Sequence, residues 1–250
     1  MTTTDFAGQT ALVTGGTSGI GREVALQLGA GGAHVVVTGR DAERGAATVR
    51  SIVEAGGSAD FVAVDLAEAA AVSHLADEAS RLGGGHVDVL VNNAGMFPFG
   101  PTAEVDVETF DAVMAVNVRA PFTLVAALAP AMADRGHGAI VNVSTMVASF
   151  GMSGMSLYGS SKAALQLLTK AWAAEFAPAG VRVNAVSPGP TRTEGTAGMG
   201  DGLDALAATT PAGRVSTPTE IANAVVFLAS AAASNVHGVI LPVDGGRLAV

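Results

Sequence analysis

Seven continuous apolar runs, spaced along the whole chain, constrain the fold more than any other feature. They are "TALVTG" (10–15), "HVVVTG" (34–39), "DFVAVD" (60–65), "VDVLVNN" (87–93), "AIVNVS" (139–144), "VRVNAVS" (181–187) and "VILPVD" (239–244). They do not alternate apolar with polar residues, so each reads as a strand covered on both faces. Between them lie stretches with apolar residues three and four apart, such as "REVALQLGA" and "AERGAATVRSIVEAG". This alternation predicts an α/β fold: a doubly wound parallel sheet of about seven strands with helices on both faces. No linker, charge block, repeat or low-complexity segment divides the 250 residues, so a single domain over 1–250 is expected. Ligands of such sheets bind beyond the carboxyl ends of the strands, where the winding reverses.

Composition excludes some partners. A net charge of −9 weighs against nucleic acid. The longest apolar stretch, "FTLVAALAPAMA" from Phe122, is interrupted by Pro130 and reads as a buried helix, so no membrane association is expected. "MTTTDFAGQ" has neither a basic start nor an apolar block, and the expectation is a cytoplasmic protein without a secretory signal. Disulfide and thiol chemistry are excluded, because the chain has no cysteine. His34, His74, His86, His137 and His237 share no ligand spacing, so no metal site is expected.

The chemistry-bearing motifs fall at strand ends. "TGGTSGIG" follows the first run and opens a helix. Gly15, Gly19 and Gly21, with Thr17, Ser18 and Ile20 between them, let backbone N–H groups approach a diphosphate at a helix N-terminus. The alternative is a glycine turn used only for packing. The second run ends in Gly39 and Arg40, where NAD-preferring folds place an acid on the ribose 2′-OH. A guanidinium there pairs with a 2′-phosphate, so NADP(H) is favoured over NAD(H); a solvated arginine is the other reading. Asp65, followed by Leu66, is placed either to bond the adenine or to cap the next helix. Tyr158 is the single tyrosine, and it stands four residues before Lys162, one of two lysines. On a helix the pair shares a face. An ammonium about 4 Å away stabilises a phenolate by roughly 4 kcal/mol at an effective dielectric of 20. That is enough to bring a phenol from near 10 towards about 7.

With "NNAG" (Asn92 to Gly95), Asn117 in "MAVNVRAPF", "YGSSK" and "PGPTRT", the chain resembles the short-chain dehydrogenase/reductase family from Thr14 to Gly246. The resemblance implies a Rossmann-type fold and an oxidoreductase acting on ketones and secondary alcohols. It implies that the Asn92–Gly95 loop supports the sheet centre and, through Asn92, Ala94 and Gly95, lines the cofactor ribose, and that Pro188, Gly189, Thr191 and Thr193 surround the nicotinamide. It also implies that Asn117 interrupts its helix and holds a water in a proton relay. Tyr158 would be the acid/base and Lys162 would bind the ribose. The family's catalytic serine normally stands thirteen residues before the tyrosine; here that position is Thr145, with Ser144 just upstream. Spacing selects Thr145, whereas residue type selects Ser144. Adjacent strand residues face opposite ways, so only one of them enters the cleft.

Met96, Phe97 and Phe99, then Met146, Met152 and Met155, then Met199, lie in the strand-end loops on the substrate side. They suggest either ordinary loop packing or an adaptable pocket for an apolar or aromatic ketone. "EGTAGMGDG" (194–202) reads as a mobile lid. Trp172 reads as packing, at an interface or in the core. The sparsely charged "AALQLLTKAWAAEF" and the apolar C-terminal tail, together with the resemblance, imply a homotetramer. Two other readings stay open: a 3-oxoacyl-thioester reductase, and an NADP(H)-sensing protein without turnover. The second should have lost the Tyr–Lys pair or Asn117, and the chain has kept all three.

Overall fold

A computed structural model describes residues 5–250; the start of the N-terminal stretch, residues 1–4, lies outside the described residues. Seven strands form one sheet: β1 (Thr10–Val13), β2 (His34–Gly39), β3 (Ser58–Ala63), β4 (Val89–Asn92), β5 (Gly138–Val143), β6 (Val181–Pro188) and β7 (Ile240–Val243). Their order is β3-β2-β1-β4-β5-β6-β7. All the pairings are parallel. The chain order reverses between β1 and β4, which opens a crevice at their carboxyl ends.

The continuous apolar runs have a direct cause in packing. Along β1, Ala11 and Val13 face one helix layer, while Leu12 faces the other. The first layer brings Leu28 of α1 (Gly19–Ala30), Ile52 of α2 (Ala42–Glu54) and Val225 of α8 (Pro218–Ala229) onto Val35, Val91 and Val141. The second brings Leu75 of α3 (Ala69–Leu82), Leu124 of α5 (Ala120–Arg135) and Leu165 of α6 (Ser156–Phe176) onto Leu90, Ile140 and Val183. Truncating a buried leucine such as Leu90 to alanine costs about 2–5 kcal/mol. The short helices α4 (Val107–Met114) and α7 (Asp201–Ala207) complete the set.

Three expectations need adjustment. β3 covers 58–63 rather than 60–65. It is an edge strand and is half-exposed, so its apolar content marks its limits less sharply. Pro130 does not interrupt its helix, because α5 runs through it. A proline removes one helical bond and does not end a helix whose other face is held by packing. The helical stretch Val107–Arg135 is in fact long and apolar enough to cross a membrane by length and composition. In the fold, Leu124, Leu128 and Met132 on it are buried in the core. Trp172 is a core residue, 5% exposed, with its ring centroid 6.0 Å from that of Phe122.

Candidate active site

A cleft of about 590 Å³ lies across the carboxyl ends of the strands at the reversal point. The turn between β1 and α1 forms one end of it, with Gly15, Thr17, Ser18, Gly19, Ile20 and Gly21 all lining it. A Cβ at Gly21 would lie 2.3 Å from the Gly15 carbonyl oxygen, so only glycine lets the turn fold this tightly. At the end of β2, a Cβ on Gly39 would come within 2.7 Å of Thr17 Cγ2, so any side chain there would have to move Thr17 aside. The adjacent Arg40 is exposed at the cleft edge and has no hydrogen-bond or ion-pair partner among the described residues. Thr38 Oγ1 is a buried hydroxyl oxygen at the same wall, also without a partner.

Asp65 lines the cleft, and one of its carboxylate oxygens accepts from the Ala67 N–H at 2.9 Å. It shapes the loop and does not cap α3, whose N-cap is Glu68. Leu66 lies beside it in the cleft wall.

The NNAG loop departs from expectation. Asn92 is not among the cleft-lining residues. It is 1% exposed, and its Nδ2 donates to Asn142 Oδ1 at 2.9 Å. Asn142 in turn donates to Thr169 Oγ1 at 2.8 Å, which ties the sheet to α6. Asn92 closes β4, and its Nδ2 is committed to this buried ladder, while its Oδ1 is buried without a partner among the described residues. Asn93, one residue on, reaches the cleft with Ala94 and Gly95. Its Nδ2 donates to the Thr14 carbonyl at 2.9 Å, binding this loop to the glycine turn. The doubled asparagine was the available signal, but only the strand end shows which of the two faces the cleft.

Asn117 sits in a single π-helical turn, Ala115–Arg119, between α4 and α5. Such turns often mark functional positions. Its Oδ1 accepts from the Met96 N–H at 2.8 Å, while Nδ2 donates to the Met96 carbonyl at 2.8 Å and to Ser161 Oγ at 3.0 Å. Ser161, which the sequence did not single out, donates to the Tyr158 carbonyl at 2.7 Å. One amide therefore joins the loop after β4 to the first turns of α6.

Those turns carry Tyr158 and Lys162 on one face, and both line the cleft. Ser144 and Thr145 follow β5 and, against the expectation that only one enters, both line the cleft. Ser144 Oγ accepts from Gln166 Nε2 at 3.0 Å and lies 3.4 Å from the Lys162 carbonyl, so its side chain is committed to α6. Thr145 lines the cleft together with Tyr158.

The electrostatics differ from the sequence reading. Burial pushes the Tyr158 phenol up to about 12, and the hydrogen bond from Thr145 pulls the other way. Burial draws the Lys162 amine down to about 8. The largest influence on the phenol is its own burial, and Lys162 Nζ donates to the Val143 carbonyl at 2.9 Å.

After β6, Pro188, Gly189, Thr191 and Thr193 complete the cleft. The Thr193 hydroxyl accepts from the Thr196 N–H at 3.3 Å and starts a 3-10 turn over Glu194–Met199. One oxygen of Glu194 accepts from the Gly19 N–H at 2.9 Å, a contact between residues 175 positions apart. Of the apolar residues expected on the substrate side, Met96, Phe97, Met146, Met152, Met155 and Met199 line the cleft; Phe99 does not, and is 71% exposed.

A family model described as enoyl-(acyl carrier protein) reductase matches residues 15–247. A solved structure described as a short-chain dehydrogenase/reductase family protein is 50% identical, with a TM-score of 0.90 over 98% of this chain and 100% of that one. The chain belongs to the short-chain dehydrogenase/reductase family. Other similar members are enzymes. Galactitol 2-dehydrogenase (L-tagatose-forming) from Cereibacter sphaeroides is 42% identical over 245 residues, 96% of this chain and 94% of that one. A gluconate 5-dehydrogenase from Burkholderia cenocepacia J2315, solved in complex with NADP and tartrate, is 35% identical. Its TM-score is 0.92, over 99% of this chain and 98% of that one. As a family member the chain is an oxidoreductase. Its cleft suits a nicotinamide dinucleotide on its own geometry: a glycine turn at a helix N-terminus, an unpartnered Thr38 hydroxyl and an unpartnered Arg40.

Proposed function

We propose that this single-domain protein is an NADP(H)-dependent oxidoreductase of ketones and secondary alcohols, with Tyr158 as acid/base. The observation that carries the reading is that Tyr158 and Lys162, on one face of α6, line a cleft continuous with the glycine turn, with Thr145 in the same wall. The cofactor, when bound, supplies or accepts the hydride. Gly15, Gly19, Gly21 and the loop residues between them hold its diphosphate, Arg40 its 2′-phosphate, and Pro188 to Thr193 flank the nicotinamide. A phenol held near 12 carries its proton at neutral pH, so Tyr158 stands ready to donate to a carbonyl oxygen during reduction. Thr145 orients that oxygen. The Asn117 amide fixes the backbone around Met96 and the start of α6, and so the spacing between the two cleft walls. NADPH consumption against a panel of ketones tests the reading. A chain that binds NADPH yet turns over no carbonyl compound would favour the sensing alternative.

Arg40 supports NADPH over NADH, since a glycine rather than an acid stands at 39 and the guanidinium has no partner among the described residues. Arg40→Asp should invert or erase the preference, by about 1–3 kcal/mol for a lost charge-assisted bond. Competition between the two dinucleotides checks this, and a wild type that already prefers NADH overturns it.

We also propose a cytoplasmic homotetramer. Val107 and Phe110 on α4, Phe122 on α5 and Leu167 on α6 are 69%, 49%, 50% and 69% exposed, and this apolar surface is suited to burial against another copy. Light scattering should give a tetramer, and a stable monomer at micromolar concentration would sink the proposal.

A further inference from the structure

Resting on the oxidoreductase reading, we propose that the substrate half of the cleft selects a compact apolar ketone or secondary alcohol with no second polar group, and turns away polyols and sugar acids. The wall around Tyr158 is built from Phe97, Val147, Met152, Met155, Leu203 and Leu206. The threonines on that side are already spent. Thr191 Oγ1 donates to the Gly189 carbonyl at 2.9 Å, and Thr196 Oγ1 donates to the Thr191 carbonyl at 2.9 Å while accepting from the Thr193 N–H at 2.9 Å. The nearby cation, Arg192, pairs with Asp204 at 2.7 Å and is not among the cleft-lining residues. Among the described residues of this apolar wall a substrate carboxylate therefore meets no free cation, and extra hydroxyls meet mainly thioethers and hydrocarbon. Each buried hydroxyl left unpaired lowers affinity by about ten-fold or more. Phe97 is the residue that closes the wall. Its ring is edge-on to Tyr158 with centroids 6.1 Å apart, and its tip would lie 3.1 Å from a Cβ placed on Gly195 in the lid.

The test is a comparison of kcat/KM for cyclohexanol, galactitol and gluconate with NADP⁺, with ligand-observed NMR of cyclohexanone and galactitol binding alongside. Cyclohexanol should be favoured by about 100-fold or more, as expected when two or more hydroxyls go unpaired. Phe97→Ala should raise KM for cyclohexanol about ten-fold and admit ring-substituted cyclohexanols. Equal or better turnover of galactitol or gluconate overturns this inference and leaves the oxidoreductase reading standing. Turnover of none of the three overturns both.

A separate contact carries a second inference. We infer that Glu194 is a built-in competitor for the anion-binding turn. Gly19 is the first residue of α1, whose leading N–H groups and dipole favour negative charge, and its N–H donates to Glu194 Oε2 at 2.9 Å. The neighbouring Thr193 side chain would lie 3.1 Å from a Cβ on Gly19, so residues 193–194 rest on the turn itself. An incoming diphosphate and this carboxylate compete for the same donors. Displacing the carboxylate frees the 194–199 turn, which also leans on Phe97 through Gly195.

Fluorescence titration with NADPH should show Kd falling about three-fold or more for Glu194→Gln and Glu194→Ala, the scale of one anion at a helix N-terminus. Hydrogen exchange over 194–199, measured without dinucleotide, should rise in both variants. An unchanged or higher Kd in both variants overturns the inference, and so does unchanged exchange.

Discussion

Lys162→Met should give a protein that is more stable than the wild type and nearly inactive. The Lys162 side chain is 3% exposed, and burial lowers its amine from 10.5 to about 8. A base whose folded value lies below its unfolded value destabilises the fold wherever it is charged. The cost is therefore fully present below pH 8 and fades as pH rises towards 10.5. That difference corresponds to about 3 kcal/mol. Methionine fills a similar volume without charge. It forfeits the bond to the Val143 carbonyl, worth about 1 kcal/mol, so a net gain of about 1–2 kcal/mol is expected at pH 7. Denaturant unfolding should show the gain shrinking at pH 10, and a variant less stable than the wild type at pH 7 would refute the argument. Activity should fall by about 10² to 10⁴, the range for losing a group that supports proton transfer.

Thr145→Ala should lower kcat/KM by about 10² or more, the scale for removing a transition-state hydrogen-bond donor. Thr145→Ser should keep most activity, because the two hydroxyls offer the same donor and acceptors. Ser144→Ala should act differently, since Ser144 bonds Gln166 and not the phenol. Its effect should be a stability loss of about 1 kcal/mol with only a modest change in turnover. The pH profile adds an independent check. Thr145 pulls the phenol down, so Thr145→Ala should move the ascending, acid-side limb of alcohol oxidation to higher pH. A crippled Ser144→Ala beside a mild Thr145→Ala would reverse the two roles.

The sheet was legible because parallel strands buried on both faces write their burial into the sequence as unbroken apolar runs. At the edges the same rule blurred: β3, half-exposed, lay two residues earlier than its apolar run. The placement of the glycine turn, Arg40 and the Tyr158–Lys162 pair on one cleft was legible because each depends on local spacing. Asn92 was misplaced because two adjacent asparagines differ only in which side of β4 they leave from. How strongly burial acts on the Tyr158 phenol was not legible, because the spacing of 158 and 162 does not show how deep the pair lies. Glu194 left no local signal at all, since its partner is 175 positions away.

The π-turn at Ala115–Arg119 has a further consequence, which is rotational. An α-helix advances about 100° per residue, so one residue carried in a wide turn sets the phase of everything before it against everything after it. Here it lets α5 keep Leu124, Leu128 and Met132 in the core while Val107 and Phe110 on α4 face outward. Deleting one residue from this turn would leave room for an unbroken helix. It would also turn the α4 face by about a quarter of a revolution and carry the Asn117 amide away from Met96. The loose turn is thus the joint that lets one long helix serve the sheet and the cleft at two angles.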